Sequence, residues 1–350
     1  MDYKLLGKSG LRVSELSLGT MTFGEDWGWG ASQEESKRII DAYAEAGGNF
    51  LDTADGYTNG TSEKMVGEFV KSERSRWVIA TKYSFNQHPG DPNGGGNHRK
   101  HMMEAVEGSL KRLGTDCIDL YWVHAWDRLT PAEEVMRGLD DLVRQGKVLY
   151  LGTSDEPAWV VSYSNAIAEL QGWTRFVGLQ VEYSLIERTP ERDLLPMAAY
   201  LGLGVTAWSP LASGILTGKY NKDAKTEEPK RLDQATFTQV DERALAIAAK
   251  VKAVADGIGH SSAQVALAWV RQQGAIPIIG ARKFSQFEDN LRSLEVTLSA
   301  EHLAQLDEVS KIDLGFPHEF LRREFVQNYL HGGLWDRLEK PWKAARNFLF

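Results

Sequence analysis

Four side chains able to move a proton stand at or just past the ends of short apolar runs. Asp52 closes Phe50-Leu51-Asp52. Lys82 closes Trp77-Val78-Ile79-Ala80-Thr81-Lys82, and His124 follows Ile118-Asp119-Leu120-Tyr121-Trp122-Val123. Tyr57 comes five residues after Asp52, in Asp52-Thr53-Ala54-Asp55-Gly56-Tyr57. A lysine directly after an apolar strand is partly desolvated and seeks an anion, which Asp52 can supply. A lysine cation beside a tyrosine favours tyrosinate, so Tyr57 is expected below the ordinary value of about 10. A tyrosine tuned that way gives a proton to a carbonyl oxygen, or takes one from an alcohol, near neutral pH. A histidine beside it donates a hydrogen bond to the same oxygen. Together the four read as a protonation site for a developing alkoxide, the chemistry that accompanies hydride transfer to a carbonyl. Taken singly, each has a structural reading: Asp52 and Lys82 as a buried stabilising pair, Tyr57 as a loop hydroxyl, His124 as a satisfied core histidine.

Such residues need elements that bring them to one place. Eight short β-rich runs recur, at 16–19, 49–53, 77–82, 117–124, 148–154, 176–183, 205–209 and 275–280. Most are separated by segments with apolar spacing of three and four, the mark of an amphipathic helix. Residues 32–46 end at Gly47-Gly48, 99–113 at Gly114 and 261–273 at Gly274; 130–144 open with Thr130 as N-cap and Pro131 as first helical residue. Strands alternating with helices imply parallel strands joined by right-handed crossovers. Eight units over about 250 residues match a (β/α)8 TIM barrel, in which charged residues at strand carboxyl ends are site candidates. The alternative is an open doubly wound sheet, which usually carries G-x-G-x-x-G after its first strand; Gly19-Thr20-Met21-Thr22-Phe23-Gly24 stands here instead. Residues 3–13 read as an N-terminal β-hairpin capping the barrel floor.

Composition narrows the function classes. At 350 residues, one barrel domain over 1–350 and two smaller domains both fit. The barrel reading makes 313–350 a C-terminal tail of a single domain. A formal charge of −8 argues against a general nucleic-acid binder. The one cysteine, Cys117, excludes an intrachain disulfide and favours a cytoplasmic home. No leader-like apolar region opens the sequence and no apolar run approaches 18 residues, so no membrane partner is expected. No His-x-His or His-Glu-x-x-His spacing appears, and no metal is expected. Three stretches exceed the minimal repeat: the glycine-rich 84–97, the charged 219–240 and the aromatic 313–350. The first two leave the carboxyl ends of the third and seventh strands, where barrel enzymes build their sites.

The motifs Asp-Thr-Ala-x-x-Tyr at 52–57, Ile-Ala-Thr-Lys at 79–82 and Ile-Asp-Leu-Tyr-Trp-Val-His at 118–124 resemble the aldo-keto reductase superfamily, and the resemblance runs from about Tyr3 to Leu294. It implies a (β/α)8 barrel that reduces aldehydes and ketones with NADPH, or runs the reverse oxidation. Tyr57 would be the general acid–base, Lys82 and Asp52 would tune it, and His124 would orient and polarise the carbonyl. On the cofactor side it implies Thr20 and Met21 after the first strand, Ser154 and Gln180 on the nicotinamide carboxamide, and Trp208 stacking. Ser209, Pro210, Leu211 and Ser213 would form the pyrophosphate loop with Lys219 beside it, and Arg231 or Lys230 would clamp from the following loop. Gly280, Arg282 and Gln286 would hold the 2′-phosphate, with Asp289 and Asn290 at the adenine. An arginine at a helix N-terminus suits a dianion, which favours NADP over NAD. Lys82, Lys219 and Arg282 then form a basic rim on an acidic protein. The sequence departs from the family pattern at Thr58, where many members have glycine, and at Asp155, where many have asparagine.

Trp27, Trp29 and Trp126 are expected at the mouth, which predicts an aromatic-walled pocket for a bulky or aromatic carbonyl or alcohol. The tail aromatics Phe316, Phe320, Phe325, Tyr329, Trp335, Trp342, Phe348 and Phe350 read as pocket lining, or as packing outside the barrel or against a second copy in a homo-oligomer. Two further functions share the barrel. Potassium-channel β subunits use the same fold and cofactor site as a slow-turnover sensor, and barrel isomerases or metal hydrolases use different strand-end residues.

Overall fold

A computed structural model of the chain describes residues 1–219 and 240–339. It opens with an antiparallel hairpin, β1 (Tyr3–Leu5) and β2 (Arg12–Ser14). Eight parallel strands follow: β3 (Ser17–Gly19), β4 (Phe50–Asp52), β5 (Val78–Tyr83), β6 (Ile118–Val123), β7 (Val148–Ser154), β8 (Phe176–Glu182), β9 (Gly204–Trp208) and β10 (Ile276–Ile279). They pair in sequence order, and β10 returns to β3 through Ile278 opposite Ser17, so the sheet is a closed barrel and not an open one. The strands agree with the eight predicted runs to within about a residue at each end.

Helices cover the outside: α1 (Gln33–Glu45), α2 (Thr61–Val70), α3 (Arg99–Leu113), α4 (Ala132–Arg144), α5 (Ala158–Gln171), α6 (Leu194–Leu201), α7 (Glu242–Ile258), α8 (Ser262–Gln272), α9 (Phe284–Leu291) and α10 (Ala300–Ser310). Ser32 caps α1 by accepting from the Glu35 N–H, and Ser261 with Gln264 forms a reciprocal capping box on α8; each such cap is worth about 1 kcal/mol. Gly114 ends α3 in the left-handed region. The start of α4 differs from expectation by one residue. Pro131 is the cap and Ala132 the first helical residue. Thr130 is held back because its N–H and hydroxyl both bond to Asp127, at 2.9 and 2.6 Å.

Side chains alternate across the barrel wall with the strand period of two. Along β5, Ile79, Thr81 and Tyr83 face the helices while Ala80 and Lys82 face the interior, which is packed and not a pore. The hairpin plugs the amino-terminal end. Leu6 is buried against Phe50, Val78, Leu120, Trp122 and Ile276. Gly7, at φ +59°, lies so close to the barrel rim that a Cβ would meet Val177 O, Gly202 O and Gly204 N at 2.5–2.6 Å. Above Leu6, the Trp122 indole fills space left by two glycines of neighbouring strands. A Cβ on Gly152 would approach the ring to 2.2 Å and one on Gly178 to 2.8 Å.

After α10 the chain continues through α11 (His318–Leu321) and α12 (Glu324–His331). This tail is tied to the barrel by Arg192, which donates to Asp313 O, and by His318 at 3.5 Å from Asp193. Its aromatics pack on one another, Phe316 tilted against Phe320 and Phe320 edge-on to Phe325, outside the barrel. None of them reaches the cavity described below. Trp342, Phe348 and Phe350 lie outside the described residues. Among the described residues no helix is long and apolar enough to cross a membrane.

Candidate active site

At the carboxyl-terminal mouth, Lys82 gathers the predicted residues. Its fully buried ammonium donates to Asp52 Oδ1 at 2.5 Å, to Thr53 O at 2.8 Å and to the Tyr57 hydroxyl at 3.1 Å. All three of its protons are therefore committed. Burial alone would lower the Lys82 pKa, but Asp52 and Tyr57 outweigh it and the net shift is upward, so the amine stays charged. Asp52 Oδ2 accepts from Gln180 Nε2 at 2.9 Å, which fixes the carboxylate from across the barrel. An ion pair this deep survives because every polar atom is matched.

Two expectations change here. Lys82 does not belong to a basic rim, since it is fully buried and spent on internal partners. Nor is the Tyr57 pKa lowered: it is raised. Burial of the hydroxyl is the largest influence. The lowering effect of Lys82 comes second and is opposed in turn by Asp52. The tyrosine thus rests protonated at neutral pH.

His124 sits with its ring edge-on to Tyr57, centroids 5.9 Å apart. Burial, and then the charge of Lys82, hold its pKa well below the usual histidine value, so the imidazole is neutral. Its backbone N–H donates to Ser84 Oγ at 3.1 Å. Ser84 has φ +136°, and the chain turns there to lay Phe85 over the His124 ring at 4.4 Å. Phe85 was not singled out by sequence reasoning. Its signal was position alone, three residues past Lys82 on the loop leaving the same strand end.

These groups open into a cavity of about 800 Å3, within the range of small-molecule sites. Tyr57, His124, Phe85, Asn59, Gln87 and Trp27 surround one part of it. Trp29 packs at a tilt against Trp27, centroids 5.7 Å apart, but does not reach the cavity, and Trp126 packs edge-on against Trp159 instead. On the other side lie Met21, Ser154, Asp155, Gln180, Trp208, Ser209, Pro210, Leu211, Ser213 and Lys219, and beyond them Gly280, Arg282, Gln286, Asp289 and Asn290. Thr20 is turned away: it is fully buried and its hydroxyl meets Asp52 O and Ser62. Arg231 and Lys230 lie outside the described residues.

Several of these residues also serve one another. The Asp155 carboxylate accepts from the Trp208 indole N–H at 3.0 Å, fixing the plane of that ring. Gln286 accepts from the Arg282 N–H at 3.3 Å, and Asp289 accepts from Ser261 and Gln264. After β9 the chain passes through Ser209, Ala212, Ser213 and Gly214, all at positive φ between 48° and 90°. Within this turn the Ala212 N–H donates to Ser209 O, the Ser213 N–H to Ser209 Oγ and the Gly214 N–H to Leu211 O, so the loop is held in shape by its own bonds. Lys219 Nζ lies over Gly214, and Arg282 stands farther along the same cavity wall. An elongated dinucleotide with two separate anionic groups fits that set, with an indole at one end and a guanidinium at the other. Among the described residues no cluster of acidic, histidine or cysteine side chains is arranged to hold a metal ion.

Comparison with known proteins agrees in one direction. The Aldo/keto reductase family matches residues 15–311. An aryl-alcohol dehydrogenase [NADP(+)] of Phanerodontia chrysosporium is 38% identical over 96% of this chain and 92% of its own length. A norsolorinic acid reductase of Aspergillus flavus is 37% identical over 93% and 85%. The aldo-keto reductase ausK of Aspergillus calidoustus is 35% identical over 91% and 84%.

Proposed function

The chain belongs to the aldo/keto reductase family, and from that premise we propose that it reduces an aryl aldehyde or ketone to the alcohol with NADPH, or runs the reverse oxidation. The observation that carries this reading is the Lys82 ammonium bonded to both Asp52 and the Tyr57 hydroxyl at the head of an open cavity, beside a neutral His124. When bound, NADPH supplies the hydride. Trp208, Ser154 and Gln180 would hold its nicotinamide end, the loop from Ser209 to Ser213 with Lys219 its pyrophosphate, and Arg282 with Gln286 its 2′-phosphate.

The protein's own residues manage the proton. Tyr57, protonated at rest, donates to the carbonyl oxygen as negative charge grows there. Lys82 stabilises the tyrosinate left behind, and Asp52 keeps Lys82 charged and aimed. His124, neutral and in contact with the Phe85 ring, donates a hydrogen bond to the same oxygen and fixes the carbonyl's direction. In the alcohol direction the same groups run backward. The aromatic wall of Trp27 and Phe85, and relatives named for aryl alcohols and for norsolorinic acid, support a flat, bulky substrate.

The test is turnover of NADPH with a panel of aldehydes and ketones. Tyr57→Phe is expected to lose about 10²–10⁴-fold in rate with NADPH affinity intact. Arg282→Ala is expected to weaken NADPH far more than NADH; equal weakening overturns the 2′-phosphate assignment. Tight NADPH binding with no turnover on any carbonyl or alcohol overturns the reductase reading.

A further inference from the structure

We propose that Thr58 is a positioning residue that ties Tyr57 to the loop carrying Trp27, so that proton donor and substrate wall form one rigid unit. The inference rests on the reductase reading above, because it assigns a task to the residue next to Tyr57. Thr58 has φ 45° and ψ 45°, and Asn59 and Gly60 continue in the left-handed region. A β-branched residue there is a steric outlier that the surroundings must enforce.

The enforcing contacts are visible. Thr58 is fully buried. Its hydroxyl donates to Phe23 O at 2.7 Å and accepts from the Ser62 N–H at 3.0 Å. The first bond crosses to the loop after β3 and the second fixes the opening turn of α2. A parallel tie runs from the Thr61 hydroxyl to Asp26 Oδ1 at 3.1 Å. Gly24, at φ +103°, lets the two segments touch, since a Cβ there would come within 2.9 Å of Thr61 Cγ2 and 3.1 Å of Thr58 Oγ1. The loop ends are pinched by Gly24 N–H to Ala31 O and Ala31 N–H to Thr22 O. Trp27 sits in that pinched loop and lines the same cavity as Tyr57. A glycine at 58 would adopt the turn without strain but would have no hydroxyl to make either bond. Threonine accepts the strain and gains the tie.

Three variants separate the roles. Thr58→Ser keeps the hydroxyl, Thr58→Val keeps the shape and Thr58→Gly relieves the strained backbone. With 2-naphthaldehyde and NADPH, Val and Gly are expected to lose ten- to a hundred-fold in kcat, the scale of a small misplacement of a reacting group, and to raise KM. With propanal, kcat falls alike but KM holds, because a small aldehyde does not use the Trp27 wall. NADPH affinity, read by fluorescence, stays within about twofold, and Ser restores both constants. Wild-type kcat in Thr58→Gly or Thr58→Val, or a Ser variant as poor as Val, overturns the proposal. Hydrogen exchange in residues 24–30 reads the tie without turnover. Faster exchange in Val and Gly supports it, and unchanged exchange in both overturns it. A wild-type protein inactive on every carbonyl defeats the reductase reading instead, while the exchange result still decides the tie.

Discussion

At the scale of single residues, the site is governed by how few charges the interior tolerates. Lys82 and Asp52 neutralise one another out of water, so removing one strands the other. Lys82→Met is expected to cost about 3–5 kcal/mol of stability, and Asp52→Asn added to it less than the sum, measured by denaturant melts of the single and double variants. Full additivity would mean the two do not interact. The raised Tyr57 pKa also has a kinetic consequence. In the reductive direction kcat/KM should stay level through neutral pH and decline only above about pH 10, the ordinary tyrosine range. A decline centred near pH 8 would restore the lowered value expected from the sequence. Asp55 offers a stability test. Burial, and then the nearby Glu63, push its pKa from 3.8 to about 7. The folded protein therefore holds a proton that the unfolded chain releases from about pH 4 upward. That contribution favours folding below this window and is lost as pH rises through 7. Asp55→Asn should raise Tm most at pH 8.5, by less near pH 5 where only the first part of the window is crossed, and not at all below about pH 3.5; equal effects at pH 8.5 and 5 would count against this account. The types and order of Asp52, Lys82 and His124 were legible because each stands at or just past the end of an apolar run, and Tyr57 because it follows Asp52 in the loop leaving the same strand. The sign of the tyrosine shift was not, because it depends on how far burial outruns Lys82. The bond from Gln180 to Asp52 was not either, because it spans the barrel between residues 128 positions apart.

At the scale of elements, the strands were readable because buried parallel strands appear as short unbroken apolar runs, and the helices because serine caps and closing glycines mark their ends. What escaped is set by contacts between elements. Thr130 was displaced from its cap by Asp127, and the mouth of the pocket is walled by Phe85, on a loop, where two of three predicted tryptophans fall short. The hairpin is fixed against the barrel rim by close approach at Gly7. Gly7→Ala would force backbone atoms apart at φ +59° and is expected to destabilise by about 2–4 kcal/mol. Activity per folded molecule should not change, since the plug and the site occupy opposite ends of the barrel. Urea melts alongside kcat decide this, and a fall in kcat matching the loss of stability would show the floor and mouth to be coupled.

At the scale of the whole molecule, the cavity is bordered by residues from the first barrel strand to the helix after the last, from Gly19 to Asn290. A ligand that fills it should oppose unfolding of the entire barrel. NADPH at a hundred times its Kd adds about 2.7 kcal/mol, or about 4 °C in Tm for a chain of this length. Scanning fluorimetry with NADPH and NADH at matched concentration measures it; no shift with millimolar NADPH would argue against a dinucleotide site. The two ends of the barrel also face different evolutionary arithmetic. Trp122 occupies room that Gly152 and Gly178 vacate, so a side chain gained at either glycine is harmful until the indole shrinks, and a shrunken indole leaves a void until a glycine grows. Descendants of this sequence can vary Phe85 or Trp27 one step at a time and sample new substrates. The three floor positions can change only in concert, so they are expected to drift as a block while the loops above them diversify.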